Sequence, residues 1–219
     1  ASDVYKRQGM NYSGAVHLRN QEYWEIRNLE VTNDNDFDVD IDLSRPQGDN
    51  SWSSQTETRN GILIIADGDL LNDGDDGIFD HIYIENCYVH DVDGPNDWND
   101  TFTGGIIYNV VGTKIRPNTS FRDIRIAYNT IRKVDLLGIT GFVQMAKSGY
   151  QDDVDTYNLW MEDIYIGHNY IEDVAQGGID LCDARNAVVE YNVVDGFLKR
   201  YPNFRPTVCL LYTSDAADD

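Results

Sequence analysis

The chain has 219 residues, 41% of them hydrophobic, and a formal net charge of −21 at pH 7. That is one domain with enough apolar material for a core, not a disordered polyelectrolyte. The carboxylate surplus argues against nucleic acid as a partner, because phosphate binding needs clustered Lys and Arg, and no apolar run approaches the roughly 18 residues of a membrane span. Cys87, Cys182 and Cys209 have neither zinc-site spacing nor the even count of a disulfide framework.

Five ten-residue segments align along the chain without gaps: WEIRNLEVTN (Trp24 to Asn33), IYIENCYVHD (Ile82 to Asp91), IRIAYNTIRK (Ile124 to Lys133), IYIGHNYIED (Ile164 to Asp173) and AVVEYNVVDG (Ala187 to Gly196). Position three is always Ile or Val (Ile26, Ile84, Ile126, Ile166, Val189), and so is position eight (Val31, Val89, Ile131, Ile171, Val194). Position six reads Leu29, Cys87, Asn129, Asn169 and Asn192. Apolar residues two apart on either side of one break describe a strand, a bend and a strand, not a helical period. Asn at position six suits a bend that needs left-handed backbone angles, and stacked Asn amides can bond to one another in a ladder. Gly61-Ile62, Gly105-Ile106, Gly138-Ile139 and Gly178-Ile179 precede the later segments, each reading as a Gly turn that feeds a short strand.

Repeat starts at positions 24, 82, 124, 164 and 187 lie 58, 42, 40 and 23 residues apart. The last spacing fits one bare coil of a solenoid, and the longer ones leave room for insertions. The expected fold is therefore all-β, a single-stranded right-handed parallel β-helix of five or more coils with long loop insertions. At about 4.8 Å per stacked strand, five coils make a rod roughly 24 Å long. With these repeats and the partial Asn ladder, the chain resembles the right-handed parallel β-helix superfamily that includes pectate lyases and polygalacturonases. NQEYWEIRNLEVTN and HIYIENCYVHDVDG in particular resemble β-helix repeat proteins of polysaccharide-degrading bacteria. The resemblance covers roughly residues 14 to 197 and implies a secreted or cell-surface, carbohydrate-active protein, expected to be a monomer. The ends, SDVYKRQ and LYTSDAADD, resemble translated sequencing-adapter sequence. Residues 1–8 and 209–219 are accordingly set aside, leaving 9–208 as one β-helix domain cut at both ends.

Insertions in a solenoid build its binding surface. Here they run over Asp34 to Asn60, Asp67 to Asp80, Asp93 to Thr103, Gly112 to Ser120 and Phe142 to Leu159. They carry Trp52, Trp98, Tyr150 and Tyr157, aromatic rings on which the C–H faces of a polysaccharide can stack beside hydrogen-bonding carboxylates. Asp34, Asp36, Asp38, Asp40 and Asp42 alternate with apolar residues, so they share one strand face, either as a solvated surface or as a cation-attracting one. In DGDLLNDGDDG, the carboxylates of Asp67, Asp69, Asp73 and Asp75 are candidate Ca²⁺ ligands. Leu71 occupies an EF-hand ligand position and no Glu closes the loop, so an acidic turn competes with that reading.

Two chemistries of glycan cleavage are compatible with the residues. Hydrolysis requires two carboxylates about the scissile bond, and Asp180 and Asp183 in GGIDLCDARN are the best pair, with Arg185 close by. If Ile179 and Leu181 point inward, alternation sends Asp180 outward. The paired Asp-Asp and Gly-His pattern of polygalacturonases is absent. β-Elimination needs a basic residue and neutralisation of a uronic acid, for which Lys147, Lys133, Arg132 and Arg185 are candidates. His90, beside Asp91, is the most site-like histidine; His168 reads as structural, next to Asn169. The expectation is a polysaccharide lyase or glycoside hydrolase with a loop-lined groove; the alternative is a non-catalytic carbohydrate-binding or adhesin-like solenoid.

Overall fold

A computed structural model describes residues 6–7, 10–34, 58–72, 74–94, 103–112, 119–145, 160–175 and 177–196. Within them the chain winds through five coils of a parallel β-helix. Coil one comprises β2 (Met10–Arg19), β3 (Trp24–Arg27) and β4 (Glu30–Asn33), preceded by β1 (Lys6–Arg7), which pairs with β2 antiparallel. Coil two is β5 (Thr58–Asp67), β6 (Ile78–Glu85) and β7 (Tyr88–Val92); coil three is β8 (Gly104–Gly112), β9 (Ser120–Ala127) and β10 (Thr130–Val134). Coil four is β11 (Leu137–Met145), β12 (Met161–Gly167) and β13 (Tyr170–Val174). Coil five is β14 (Gly177–Leu181), the split pair β15 (Ala184–Arg185) and β16 (Val188–Glu190), and β17 (Val193–Asp195). The first, second and third strands of successive coils pair in parallel to give sheets one, two and three.

Because every coil stacks in register, identical positions form rows through the core. Val16, Ile62, Ile106, Ile139 and Ile179 make one row in sheet one. Ile26, Ile84, Ile126, Ile166 and Val189 line sheet two, and Val31, Val89, Ile131, Ile171 and Val194 line sheet three. In coils two to four these Ile and Val residues are 0–1% exposed, each burial contributing about 1.5–3 kcal/mol. β-Branched side chains fit because their restricted rotamers suit a pleated surface stacked on itself.

The Asn ladder is present. Asn169 Nδ2 donates to Ile126 O at 2.9 Å and to Asn192 Oδ1 at 2.9 Å, while its own Oδ1 accepts from Asn129 N and Nδ2, both at 3.0 Å. Asn129 continues the series by donating to Ile84 O at 2.9 Å and accepting from Cys87 N at 2.9 Å. Cys87 substitutes a thiol for the amide, its Sγ lying 3.7 Å from Ile26 O, and Leu29 ends the ladder.

The left-handed bend is not at the ladder residue, as the sequence suggested, but one position earlier. Asn28, Asn86, Tyr128, His168 and Tyr191 have φ between 54 and 59°. The ladder Asn stays outside the left-handed region so that its amide can turn inward. Backbone bonds cross between coils at this bend, such as Tyr128 N to Gly167 O at 3.1 Å and His168 N to Glu190 O at 3.2 Å. Asn tolerates the conformation; Tyr and His incur of order 1 kcal/mol each. Their rings stack in compensation, with centroids 4.7 Å apart for Tyr128–His168 and 5.0 Å for His168–Tyr191. His168 is thus structural, as expected. The glycines of the Gly-Ile pairs also differ from expectation: they lie inside strands and do not have positive φ. A Cβ on Gly61 would meet Val89 Cγ1 at 2.3 Å, and one on Gly138 would meet Gly178 O at 2.4 Å, so close packing against sheet three and the next coil requires them.

Candidate functional site on the first sheet

Chain order places the long connections at the two borders of sheet one. Residues 34–57 and 93–103 lead into β5 and β8, and 68–77, 113–119 and 146–160 lead out of β5, β8 and β11. The bend from sheet two to sheet three takes two residues in all five coils, its length fixed by the ladder. In chain order the long connections therefore all adjoin sheet one, the sheet whose outer face carries Asp180. Lys147, Trp52, Trp98, Tyr150, Tyr157 and Asp73, together with Asp36, Asp38, Asp40 and Asp42, lie outside the described residues.

That outer face is unlike the other two. Leu63, Ile65, Ile107 and Val111 point away from the main core, yet with Leu136 and Leu137 they form a second buried apolar cluster against which Phe142 packs. One outward row reads His17, Leu63, Ile107, Thr140, Asp180 from coil one to coil five. Ile179 and Leu181 belong to the main core, so Asp180 does face outward, as alternation predicted. It ends the row where the apolar cluster stops.

Asp180 and Asp183 share a half-buried turn at the end of β14, and burial pushes both carboxyl groups above the usual carboxylate range. Their hydrogen bonds differ. Asp183 Oδ2 accepts the Val143 backbone N–H at 3.2 Å, a bond that favours its ionised form. Asp180 Oδ1 faces the Cys182 thiol at 3.6 Å, a weak donor. Burial, with Asp180 and Asp183 adding negative charge, pushes that thiol up to about 12. Cys182 is neutral at physiological pH, a proton donor to Asp180 and not a nucleophile.

The remaining candidates do not converge on this turn. Arg185, on β15, lays its guanidinium 4.9 Å from the Trp160 ring centroid. His90 is on the outer face of sheet three, so it belongs to no common site with Asp180 and Asp183. The physical reason is register: His90 sits in a row with Thr32, Arg132 and Glu172, one sheet away from β14. There its Nδ1 meets Asp91 at 2.6 Å and its Nε2 meets Glu30 at 3.1 Å. The His90 hydrogen bond holds Asp91 below the ordinary carboxylate range, outweighing the opposing effect of burial, and Lys133 at 3.2 Å adds to it. Arg132 pairs with Glu172 at 3.0 Å. These are links along and between coils.

In the acidic turn, Asp67 is fully buried and paired with Arg19, and its Oδ1 accepts the Asp69 N–H at 2.9 Å, capping a 3₁₀ turn over Gly68–Leu70. Asp75 Oδ2 accepts the Asn72 N–H at 2.7 Å. Among the described residues no group of three or more His, Cys, Asp or Glu side chains is arranged to hold a metal ion, and no helix is long and apolar enough to cross a membrane.

Sequence reading missed one neighbour of the Asp180 turn. Thr140 is its in-register neighbour, 2% exposed, with a buried hydroxyl that has no hydrogen-bond partner among the described residues. In the main core, Tyr108 on β8 packs its ring over Gly141, its in-register neighbour one coil on.

No protein-family model matches the chain. It is 25% identical over 222 residues to a lacto-N-biosidase of Bifidobacterium longum subsp. longum, a match taking in 89% of this chain and 13% of that protein. The chain is thus similar, along most of its own length, to a small part of a much longer protein.

Proposed function

We propose that the outer face of sheet one is a glycan-binding face, and that Asp180 and Asp183 cleave a glycosidic bond on it by hydrolysis in a secreted or cell-surface protein. The observation that carries this reading is two half-buried carboxyl groups three residues apart at the end of β14, both raised by burial, with Asp180 on the outer face of sheet one. Hydrolysis needs one protonated and one ionised carboxyl group. Asp180, with only a thiol beside it, is the proton donor to the leaving oxygen. Asp183, with the Val143 N–H on its Oδ2, is the base or nucleophile. Similarity to a lacto-N-biosidase, whose name denotes a glycosidase, supports hydrolysis and makes glycans ending in lacto-N-biose the first substrates to try. Elimination has less support: Arg132 and Lys133 are paired on sheet three, and Arg185 lies over Trp160.

The test is to incubate the chain with lacto-N-biose-terminated oligosaccharides and with acidic polysaccharides, following new reducing ends and unsaturated products separately. New reducing ends without unsaturated products support the proposal. Unsaturated products would move the chemistry to a lyase, and binding without cleavage would favour the adhesin-like alternative.

A further inference from the structure

Two of the four histidines, His81 on β6 and His90 on β7, belong to coil two, and each meets a carboxylate at both ring nitrogens. His81 Nδ1 faces Asp123 Oδ2 of coil three at 3.2 Å, and its Nε2 faces Glu25 Oε1 of coil one at 3.3 Å. His90 Nδ1 faces Asp91 Oδ2 at 2.6 Å, and its Nε2 faces Glu30 Oε1 of coil one at 3.1 Å. Each imidazole lies against a tyrosine of its own strand, Tyr83 or Tyr88, with ring centroids 4.1 Å apart, and Tyr23 flanks His81 at 6.1 Å. Other groups hold the carboxylates from their far sides. Arg27 meets Glu25 Oε2 at 2.9 Å, Lys133 meets Asp91 Oδ1 at 3.2 Å, and the Tyr83 hydroxyl donates to Asp123 Oδ1 at 3.1 Å. Arg132, the in-register neighbour of His90 on β10, is paired with Glu172. A neutral imidazole has one N–H and one lone pair, so one nitrogen would turn a lone pair toward a carboxylate oxygen. An imidazolium donates at both ends, and to charged acceptors.

We infer that His81 and His90 are two proton-dependent clamps that fasten coil one to coil two, one on each side of the Asn28 bend. Both ε-nitrogens reach glutamates of coil one, Glu25 on β3 and Glu30 on β4, so gain or loss of the imidazole protons acts on a single interface between coils. The clamps are closed while the rings are protonated. They open as pH rises through the ordinary imidazole value of about 6.5, and they weaken again below about pH 4.3, where glutamates take up protons. Coil one is therefore held most tightly between those limits. The other two histidines do not share this arrangement: His168 lies between the rings of Tyr128 and Tyr191, and burial, then Arg19, push His17 below the ordinary imidazole range. Protonation of His17 loosens coil one, the opposite sign. Coil one carries the His17 end of the outer row on sheet one, so the clamps set the pH span over which that end is held. Nothing in them depends on the chemistry assigned to Asp180 and Asp183.

The test is amide hydrogen exchange in the full chain and in its Glu25→Gln, Glu30→Gln double variant, at about pH 5.5 and about pH 8, on either side of the imidazole value. It is read at Tyr23 and Asn28, whose N–H groups bond across to Asp80 O at 2.8 Å and Glu85 O at 3.2 Å, with each rate corrected for intrinsic exchange at that pH. Both glutamates are exposed, so the variant keeps the buried rows of the core. At the lower pH wild type should be roughly three- to thirtyfold better protected than the variant, the scale of two partly exposed ion pairs. At the higher pH the difference should shrink to the small part owed to the Arg27–Glu25 pair. His17 is common to both chains and drops out of the comparison. Equal protection at the lower pH overturns the inference. So does a difference of the same size at both, which would make the glutamates proton-independent contacts.

Discussion

Replacing Asn169 with Ala tests the ladder at its centre. Asn169 is 1% exposed and its side chain makes four hydrogen bonds: two as donor, to Ile126 O and Asn192 Oδ1, and two as acceptor, from Asn129 N and Nδ2. At about 1 kcal/mol net for each buried bond, the loss sums to roughly 4 kcal/mol. That is a large share of a stability of order 5–15 kcal/mol. Asn192 makes three comparable bonds, to Asn169 N, Asn169 Nδ2 and Ile166 O, but it is half-exposed at coil five, where water can replace lost partners. Asn192→Ala should therefore cost about 1–2 kcal/mol. Urea titrations read by circular dichroism would measure both, with amide hydrogen exchange at Cys87, Asn129 and Asn169 showing whether the loss is local to the bend. Equal costs for the two variants, or less than about 1 kcal/mol for Asn169→Ala, would refute the argument that burial of the ladder sets its strength.

Other consequences follow from particular side chains. Burial raises the folded-state pKa of Asp180 above its unfolded value, so its contribution to stability is complete below the unfolded value and is lost as pH rises through the folded one. Asp180→Asn should thus melt above wild type at pH 7, and the gap should close below about pH 4; melting curves across that range check it, and a pH-independent gap contradicts it. Cys87→Asn would restore the amide that the ladder lacks in coil two, with Nδ2 replacing the thiol opposite Ile26 O. A gain of about 1 kcal/mol in chemical denaturation is expected, and a loss would mean that coil two lacks room for the amide.

What the sequence disclosed and what it concealed divide along physical lines. The aligned Ile and Val positions predicted the core rows because stacking repeats one environment at every coil, so one pattern is written five times. Position six revealed the ladder for the same reason. The site of the left-handed bend was concealed because the residues that carry it change from Asn28 and Asn86 to Tyr128, His168 and Tyr191, and ring stacking, not intrinsic tolerance, supports the last three. Asp180 could be placed outward by alternation alone, whereas His90 could not be separated from it until register fixed which sheet each belongs to. The Tyr108–Gly141 contact joins residues a coil apart and matches no repeat position, so nothing in local sequence marks it.

The central claim is that the Asp180–Asp183 turn cleaves a glycosidic bond, and the direct measurement is reducing-end release from a lacto-N-biose-terminated oligosaccharide by wild type, Asp180→Asn and Asp183→Asn. The account predicts release by wild type and at least a hundredfold loss in either variant, on the scale of about 10²–10⁴ for a positioned acid or base. Undiminished release by both variants would contradict it.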